Sequence, residues 1–258
     1  MKRIYAISII LCLCFVSAVF GAEQPRKLAL LPQPQRCALN DRLFEAKQVS
    51  VQADPATTAM AVAFCEALSL PIAEGSAHQI RITLTDSIEG AALNQEEAYR
   101  IQITDRAVAI QATTDRGAYW AFKTLRQLSM READVWRLPQ GEITDWPAFR
   151  IRGLMQDVGR SYISMEELKR EIDALSNYKM NVFHWHLTEN QAWRLESKRF
   201  PQLNDSCHMS RMPGQYYTMA EAKELMAYCK QRQVLLIPEI DMPGHSAAFV
   251  QAMGQFMA

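Results

Sequence analysis

Ionisable side chains stand at the ends of three apolar runs in the second half of the chain, and the first run spans residues 151–158. Arg152 lies at the start of this run, and Asp157 and Arg160 stand at its end. A guanidinium offers several N–H donors in a fixed fork, which suits it to bind vicinal hydroxyl groups such as those of a sugar. Structural ion pairs among the same three residues would explain them equally well, and the segment alone leaves both interpretations open.

The second segment carries His184 and His186, which are two residues apart and share one face if the run forms a strand. This spacing suits a pair of metal ligands, and it also suits two histidines that are hydrogen-bonded inside a polar barrel. Glu189 and Asn190 follow the run, at the place where acid–base and positioning groups belong. The segment is therefore a candidate for either a metal site or an acid–base site.

The third segment carries Glu239, Asp241 and His245 after a run that is apolar enough to predict a strand buried on both faces. Pro243 and Gly244 predict a turn that could aim His245 back towards the strand ends. A histidine that is oriented by a carboxylate is a common means of tuning another acid. This segment is a candidate acid–base relay.

These segments need parallel strands to bring them together, and the pattern from residue 146 onward predicts such strands. Apolar runs over 151–158, 182–187 and 234–240 alternate with helices over about 164–178 and 218–231, both of which begin with capping-box sequences. This alternation predicts βαβ units with right-handed crossovers. A doubly wound sheet is possible, but polar strand ends favour a barrel. We predict an α/β fold with an incomplete (β/α)₈ TIM barrel of about three βα units over residues 146–258.

Residues 23–145 predict a small α+β domain in front of the barrel. Alternating strands are expected over 79–85, 99–103 and 108–112, and helical spacing recurs over 57–68 and 114–130. None of these elements carries a recognisable catalytic motif. We expect this domain to support the barrel.

The first 22 residues have the pattern of a secretory signal peptide. Lys2 and Arg3 precede an apolar stretch over residues 4–20, and Gly21 and Ala22 follow it. An uncleaved membrane anchor is the alternative, because about 18 apolar residues nearly span a bilayer. We predict cleavage, no membrane span in the mature protein, and a secreted or periplasmic location.

The composition excludes some partners. The formal net charge is zero and 49% of the residues are hydrophobic, so the chain has no basic excess for nucleic acid and enough apolar residues for a substantial core. Four cysteines follow the predicted signal peptide: Cys37, Cys65, Cys207 and Cys229. They could form disulfides in three connectivities, and we expect buried thiols instead.

The order and spacing of the three segments resemble the family 20 glycoside hydrolases. The runs that carry the resemblance are Arg152-Gly-Leu-Met-Gln-Asp157, Asn181-Val-Phe-His-Trp-His-Leu-Thr188 and Ile237-Pro-Glu-Ile-Asp-Met-Pro-Gly-His245. Upstream, Leu31-Pro-Gln-Pro, Ala98-Tyr-Arg-Ile and the run over residues 117–128 resemble the domain that precedes the barrel in that family. The resemblance covers nearly all of residues 25–250.

This resemblance implies an exo-β-N-acetylhexosaminidase that removes terminal N-acetylglucosamine or N-acetylgalactosamine from glycans with retention and substrate assistance. It implies no metal or organic cofactor. In the family, an adjacent Asp-Glu pair at the end of the fourth barrel strand supplies the acetamido-orienting acid and the general acid. No such pair follows His245 in this sequence. We therefore expect the chain to be the amino-terminal portion of such an enzyme and to be inactive by itself.

The resemblance also assigns roles to individual residues. Arg152 matches the arginine that binds hydroxyls of the terminal sugar, and His245 matches the histidine of a relay that supports the catalytic acid. Glu189 takes the place of the relay's own acid, where the family usually has Asp followed by Asp and this chain has Glu189-Asn190. Asp157 and Asp241 match acids of the sugar pocket.

Two alternatives remain open. One is a non-catalytic glycan-binding remnant, favoured by the missing Asp-Glu pair. The other is a metal-dependent barrel hydrolase with His184 and His186 as ligands. The sequence leaves open the preferred hexosamine, the natural glycan and the oligomeric state.

Overall fold

Two β-sheets organise residues 30–254, which are the residues that the computed structural model describes. The predicted signal peptide, residues 1–22, lies outside this range. Within the range, none of the helices is both long and apolar enough to cross a membrane. The first sheet occupies residues 36–145 and the second occupies residues 153–239.

The first sheet is mixed and has seven strands among the described residues. They are β1 (Arg36–Ala46), β2 (Ser50–Ala53), β3 (Gln79–Leu84), β4 (Tyr99–Ile103), β5 (Ala107–Ala112), β6 (Met130–Glu132) and β7 (Val135–Asp145). Their order is β1-β7-β4-β5-β3-β2, with β6 paired to β7, and β3 is parallel to both β5 and β2. The strands predicted near β3, β4 and β5 are confirmed. The long antiparallel pair of β1 and β7 was not predicted.

Two helices cover this sheet, α1 (Pro55–Ala67) and α2 (Asp115–Leu128). The side chain of Thr114 caps α2 by accepting a hydrogen bond from the backbone N–H of Gly117. A Cβ at residue 117 would lie 2.6 Å from the carbonyl oxygen of Ala98, so only glycine lets α2 lie this close to the chain before β4. Phe64, Phe122 and Trp136 meet in the core between these helices and the sheet.

The second sheet has three parallel strands, β8 (Gly153–Asp157), β9 (Val182–His186) and β10 (Leu235–Glu239), in the order β10-β9-β8. Two helices connect them, α3 (Met165–Asn177) and α4 (Met219–Gln231), and α5 (Ala247–Met253) follows β10. Ser164 and Thr218 cap α3 and α4 through their side chains, as predicted from the sequence. The resulting parallel β–α–β arrangement is the predicted one.

The two faces of the second sheet differ in what covers them. Phe183 and Trp185 lie in a buried cluster with Leu168 and Ile172 of α3 and Leu225 of α4. His184 and His186 alternate with these residues along β9 and therefore point to the opposite face. One face is thus a hydrophobic core and the other carries ionisable groups.

The prediction that the third strand is buried on both faces is wrong. Leu235 is 58% exposed and Ile237 is 42% exposed. The reason is position, since β10 pairs only with β9 among residues 30–254 and its other edge is open.

The cysteines of the described region are all unpaired. Cys65 and Cys229 are buried, as expected, and burial raises their pKa values to about 11 and about 12. Cys37 and Cys207 are exposed, so the expectation of buried thiols is wrong for these two. Cys37 is exposed because it lies in a part of β1 whose side chains are largely open to solvent.

Candidate active site

The register of the second sheet aligns three ionisable residues in one row. Asp157 at the end of β8 pairs with His186 at the end of β9, and His186 pairs with Glu239 at the end of β10. Aligned residues of a parallel sheet point to the same face, so this row lies on the face that α3 and α4 do not cover. The carboxyl end of a parallel sheet is where α/β proteins place their sites.

A second group of side chains lies just beyond this row. Glu189 accepts a hydrogen bond from Nη2 of Arg160 at 2.7 Å and contacts Nδ1 of His245 on its other side. The side chain of Glu189 is only 2% exposed, whereas the side chains of Arg160 and His245 are 49% and 43% exposed. Arg160, Glu189 and His245 therefore form a continuous chain of contacts, which we call the relay group.

The charge state of Glu189 follows from its contacts. Burial by itself would raise the pKa of this carboxyl, but the backbone N–H of Asn190, the ring of His245 and the guanidinium of Arg160 all stabilise the carboxylate. The net result is a pKa of Glu189 below its usual value of 4.5. Glu189 is therefore an anion at neutral pH and can orient His245.

The backbone around Glu189 is shaped to hold it there. A Cβ at residue 159 would lie 2.7 Å from the Cβ of Glu189, so glycine is required where the chain leaving β8 passes the relay group. The backbone N–H groups of Val158 and Gly159 donate to the carbonyl oxygen of His186 at 3.1 and 3.3 Å. The side chain of Glu189 is thus packed between the ends of two adjacent strands.

Asn190 also has a structural task that the sequence did not reveal. Its Oδ1 accepts a hydrogen bond from the backbone N–H of Ala247 at 3.1 Å, at the start of α5. The backbone N–H of Asp241 donates to Oγ1 of Thr188 at 2.9 Å. These two bonds tie the segment that carries His245 to the segment that carries Glu189.

The structure places the other predicted site residues in three different settings. Asp157 receives both the backbone N–H and a guanidinium N–H of Arg160. Asp241 is about one third exposed, and its Oδ2 lies 3.9 Å from Nε2 of His245. Glu239 contacts two histidines, at 2.5 Å from Nε2 of His184 and 3.0 Å from Nδ1 of His186.

Arg152 does not join this cluster. It precedes β8, at the opposite end of the strand from Asp157, and its guanidinium pairs with Glu97, which lies just before β4 of the first sheet. It also donates to the carbonyl oxygens of Lys179 at 2.7 Å and Phe149 at 2.8 Å. The predicted sugar-binding role of Arg152 therefore needs correction, because a buried carboxylate 55 residues away in sequence already takes this side chain. Arg160 is the arginine at the strand ends.

Arg194 is a further important residue that sequence reasoning missed. Its side chain is fully buried and donates to four backbone carbonyl oxygens, those of Val158, Arg211, Met212 and Gln215, at 2.7–3.1 Å. Val158 directly follows β8, and the other three acceptors lie in the long segment between β9 and α4. Arg194 therefore folds this segment against the strand ends next to Glu189.

Replacing Glu189 with glutamine is expected to destabilise the protein in a pH-dependent manner. The folded-state pKa of Glu189 is below 4.5, so its charge stabilises the fold above the unfolded-state pKa. That contribution is lost as the pH falls through the folded-state pKa. Urea unfolding at pH 7 and pH 3.5 should show a large difference between wild type and variant at pH 7 that shrinks at pH 3.5.

Glu166→Gln is the matched control, because Glu166 is an exposed glutamate on α3. Its difference from wild type should be small at both pH values. A Glu189→Gln difference that stays constant between pH 7 and pH 3.5 would contradict the charge state assigned to Glu189.

Comparison with known proteins defines the class to which this arrangement belongs. Residues 149–258 match the family model of the glycosyl hydrolase family 20 catalytic domain, and residues 27–146 match domain 2 of the same family. Together the two models account for almost the whole chain. The chain belongs to glycosyl hydrolase family 20.

Individual relatives agree with this assignment. A β-hexosaminidase of Porphyromonas gingivalis is 31% identical over 274 residues, and one of Vibrio furnissii is 33% identical over 257 residues. The matches cover 95% and 92% of this chain, and 35% and 41% of those relatives. The chain thus spans well under half the length of these two relatives.

Solved structures have the same arrangement. An exo-β-N-acetylglucosaminidase of Vibrio harveyi in complex with N-acetylglucosamine has a TM-score of 0.76 at 29% identity, over 88% of this chain and 38% of that one. An N-acetyl-β-hexosaminidase of Streptomyces plicatus in complex with thio-NAglucal has a TM-score of 0.76 at 28% identity, over 90% of this chain and 50% of that one. The fold described above is therefore one that family 20 enzymes share.

Proposed function

We propose that this chain supplies the sugar-binding wall and the acid-supporting relay of an exo-β-N-acetylhexosaminidase. The relay group carries the proposal, because it unites a partly exposed guanidinium, a buried carboxylate and an accessible imidazole at the carboxyl end of a parallel sheet. Family membership supports the same chemistry. The substrate class is a glycan that ends in an N-acetylhexosamine.

Arg160 takes the sugar-binding role in this proposal. Its guanidinium is about half exposed and is held by Asp157 and Glu189, which fix its position and leave other N–H donors free for ligand oxygens. Asp157 then acts by orienting Arg160. Asp241 lies at the same carboxyl end of the sheet and is accessible, so we retain it as an acid of the sugar pocket.

The relay works through the two ring nitrogens of His245. Nδ1 faces Glu189, whose carboxylate accepts its N–H and so fixes the ring orientation. Nε2 points to the accessible side, where it can hydrogen-bond to a catalytic acid. The carboxylate of Glu189 thereby stabilises the positive charge that His245 gains when it shares a proton with that acid.

The proposed reaction is a retaining, substrate-assisted hydrolysis. The acetamido oxygen of the terminal sugar attacks the anomeric carbon and forms the new C–O bond while the glycosidic C–O bond breaks. A general acid protonates the leaving oxygen, and its conjugate base then activates the water that opens the oxazoline. We assign none of the described residues as that general acid, and Glu239 is excluded from the role because two histidines occupy it.

The same proposal includes the wider architecture. The three βα units over residues 146–258 are the first units of a (β/α)₈ barrel, and residues 23–145 form the domain that precedes it. Residues 1–22 direct export to the periplasm or the exterior and are then removed. The sheet topology and the open edge of β10 support the first of these points.

Hydrolysis of an aryl N-acetyl-β-glucosaminide tests the function directly, with the protein assayed as the polypeptide that its gene encodes. We expect chromophore release, and we expect Arg160→Ala to lower kcat/KM by roughly 10- to 100-fold, as for loss of a charged hydrogen bond of about 1.5–3 kcal/mol. Arg106→Ala, at an exposed arginine of the β4–β5 turn, is the matched control and should retain full activity.

The outcomes separate the competing interpretations. Sugar binding that requires Arg160 but occurs without any chromophore release would identify a glycan-binding protein. Release that is unaffected by Arg160→Ala would place the sugar pocket elsewhere.

A further inference from the structure

We propose that His186, Glu239 and Asp241 form a binding site for a single divalent transition-metal ion, with Zn²⁺ as the preferred ion, beside the relay group. His184, His186 and His245 are three of the five histidines in the chain, and all three lie at this edge of the second sheet. Histidine and carboxylate together are the ligand set of Zn²⁺ sites. The proposal concerns ion binding and does not depend on the proposed function.

An unpartnered histidine is the first argument. His186 is buried, and neither of its ring nitrogens makes a hydrogen bond with any of residues 30–254. The carboxylate of Glu239 lies 3.0 Å from its Nδ1, but in a direction that does not give a hydrogen bond. A buried polar group left without a partner costs about 1–3 kcal/mol. A metal ion bound to one of the ring nitrogens of His186 would give this side chain a partner.

The spacing of the ligand atoms is the second argument. One atom each from His186, Glu239 and Asp241 can be chosen so that all three lie within 4.8 Å of one another. Zinc bonds of about 2.0–2.2 Å in a tetrahedron need ligand atoms roughly 3.4 Å apart. Nδ1 of His186 and the nearer carboxylate oxygen of Glu239 are 3.0 Å apart, so a bound ion would need them to separate by about 0.4 Å. Asp241 is partly exposed and needs only a side-chain rotation to approach them.

The surrounding charges select this set of ligands. His186, Glu189 and His245 form a second group of similar spacing, but the guanidinium of Arg160 lies 2.7 Å from Glu189 and repels a cation there. Glu239 and Asp241 supply two negative charges, which balance a divalent ion. His184 remains in contact with Glu239 and would act as the outer hydrogen-bond partner of a ligating carboxylate.

The ligand chemistry selects the class of ion. Ca²⁺ and Mg²⁺ prefer oxygen-only coordination, whereas imidazole suits Zn²⁺, Cu²⁺ and Co²⁺. With three protein ligands, the fourth tetrahedral position is open to water. Because Asp241 also lies near His245, a bound ion would draw this carboxylate away and place positive charge next to the relay group. On the proposed function, added Zn²⁺ would therefore inhibit hydrolysis.

The experiment uses the chain after dialysis against a chelator, with Zn²⁺, Co²⁺ and Cu²⁺ as the probes. Isothermal titration should give one Zn²⁺ per chain, and Asp241→Asn and Glu239→Gln should each weaken binding by more than the roughly 10- to 100-fold that a change in an outer partner costs. Asp105→Asn, at an exposed residue of the β4–β5 turn, and Glu166→Gln are matched controls and should bind as the wild type does.

Spectroscopy on the unmodified chain makes the test independent of whether the variants fold. Bound Co²⁺ should show the visible bands of nitrogen and oxygen ligation without a thiolate charge-transfer band, and bound Cu²⁺ should show nitrogen hyperfine coupling from imidazole. Unchanged Zn²⁺ affinity in both Asp241→Asn and Glu239→Gln would overturn the proposal. So would a thiolate spectrum, which would assign the ion to the exposed Cys37 or Cys207. Loss of Zn²⁺ binding in a Glu239→Gln protein that still hydrolyses the substrate would separate this site from the proposed function.

Discussion

Replacing Glu97 with alanine is expected to lower the free energy of unfolding by about 3–5 kcal/mol, because it leaves the guanidinium of Arg152 without its carboxylate. Glu97 is 2% exposed as a side chain and also accepts hydrogen bonds from Nε1 of Trp120 at 2.7 Å and Nδ2 of Asn181 at 3.0 Å. Three donors, one from α2, one just before β8 and one just before β9, therefore converge on one carboxylate. Removing the carboxylate leaves one charged donor and two neutral donors without this partner in the space between the two sheets, which we call the junction.

Glu96 provides a matched control at the neighbouring position. It is exposed, and its distance of 4.0 Å from Arg150 is that of a weak surface pair. Glu96→Ala should change the free energy of unfolding by about 0.5 kcal/mol or less. Urea unfolding followed by circular dichroism measures both variants, and equal small effects would contradict the importance of the junction.

A double-mutant cycle isolates the pair itself. If Glu97 acts mainly by compensating Arg152, then Glu97→Ala combined with Arg152→Met should cost less than the sum of the two single changes. Strict additivity would mean that Glu97 stabilises the junction mostly through Trp120 and Asn181.

Arg194→Met is expected to have the second large effect, at least about 3 kcal/mol, because four backbone carbonyls lose a charged donor in a buried setting. Methionine replaces much of the apolar stem, so the loss reports on the hydrogen bonds. We also expect the segment over residues 196–216 to become sensitive to trypsin, since its basic residues include Lys198, Arg199 and Arg211.

Arg170→Met is the matched control, since Arg170 is a largely exposed arginine of α3 whose ion pairs within residues 30–254 are with two exposed glutamates. Its free energy of unfolding and its proteolysis pattern should both stay near those of the wild type. Unfolding curves and mass spectrometry of timed digests provide the two measurements. An Arg194→Met protein as stable and as resistant as Arg170→Met would refute the organising role of Arg194.

The parts of the fold that depend on local signals were predictable. The capping residues Ser164 and Thr218 mark the starts of α3 and α4, and the apolar runs mark β8, β9 and β10. The antiparallel pairing of β1 with β7 was not predicted, because most side chains of β1 are exposed and a register shift lies between Leu39 and Leu43. Neither feature leaves a regular alternation in the sequence.

The site was predictable only as far as strand order determines it. Strand ends that lie side by side explain why Glu189 and His245 meet although 56 residues separate them. The choice between Arg152 and Arg160 depends on which carboxylate pairs with which guanidinium. The partner of Arg152 is Glu97, which lies beside the first sheet and is 55 residues away in sequence. A resemblance in the run from Arg152 to Asp157 could not decide this, because both arginines flank the same strand.

Residue 159 shows that a position without any functional group can be under strong selection. Because a Cβ there would collide with the relay acid, every codon change that replaces Gly159 inserts atoms into the space that Glu189 occupies. Such an allele would displace the carboxylate of Glu189 and weaken its contacts with Arg160 and His245. Natural variation at this codon should therefore be far rarer than the lack of a functional group at residue 159 implies.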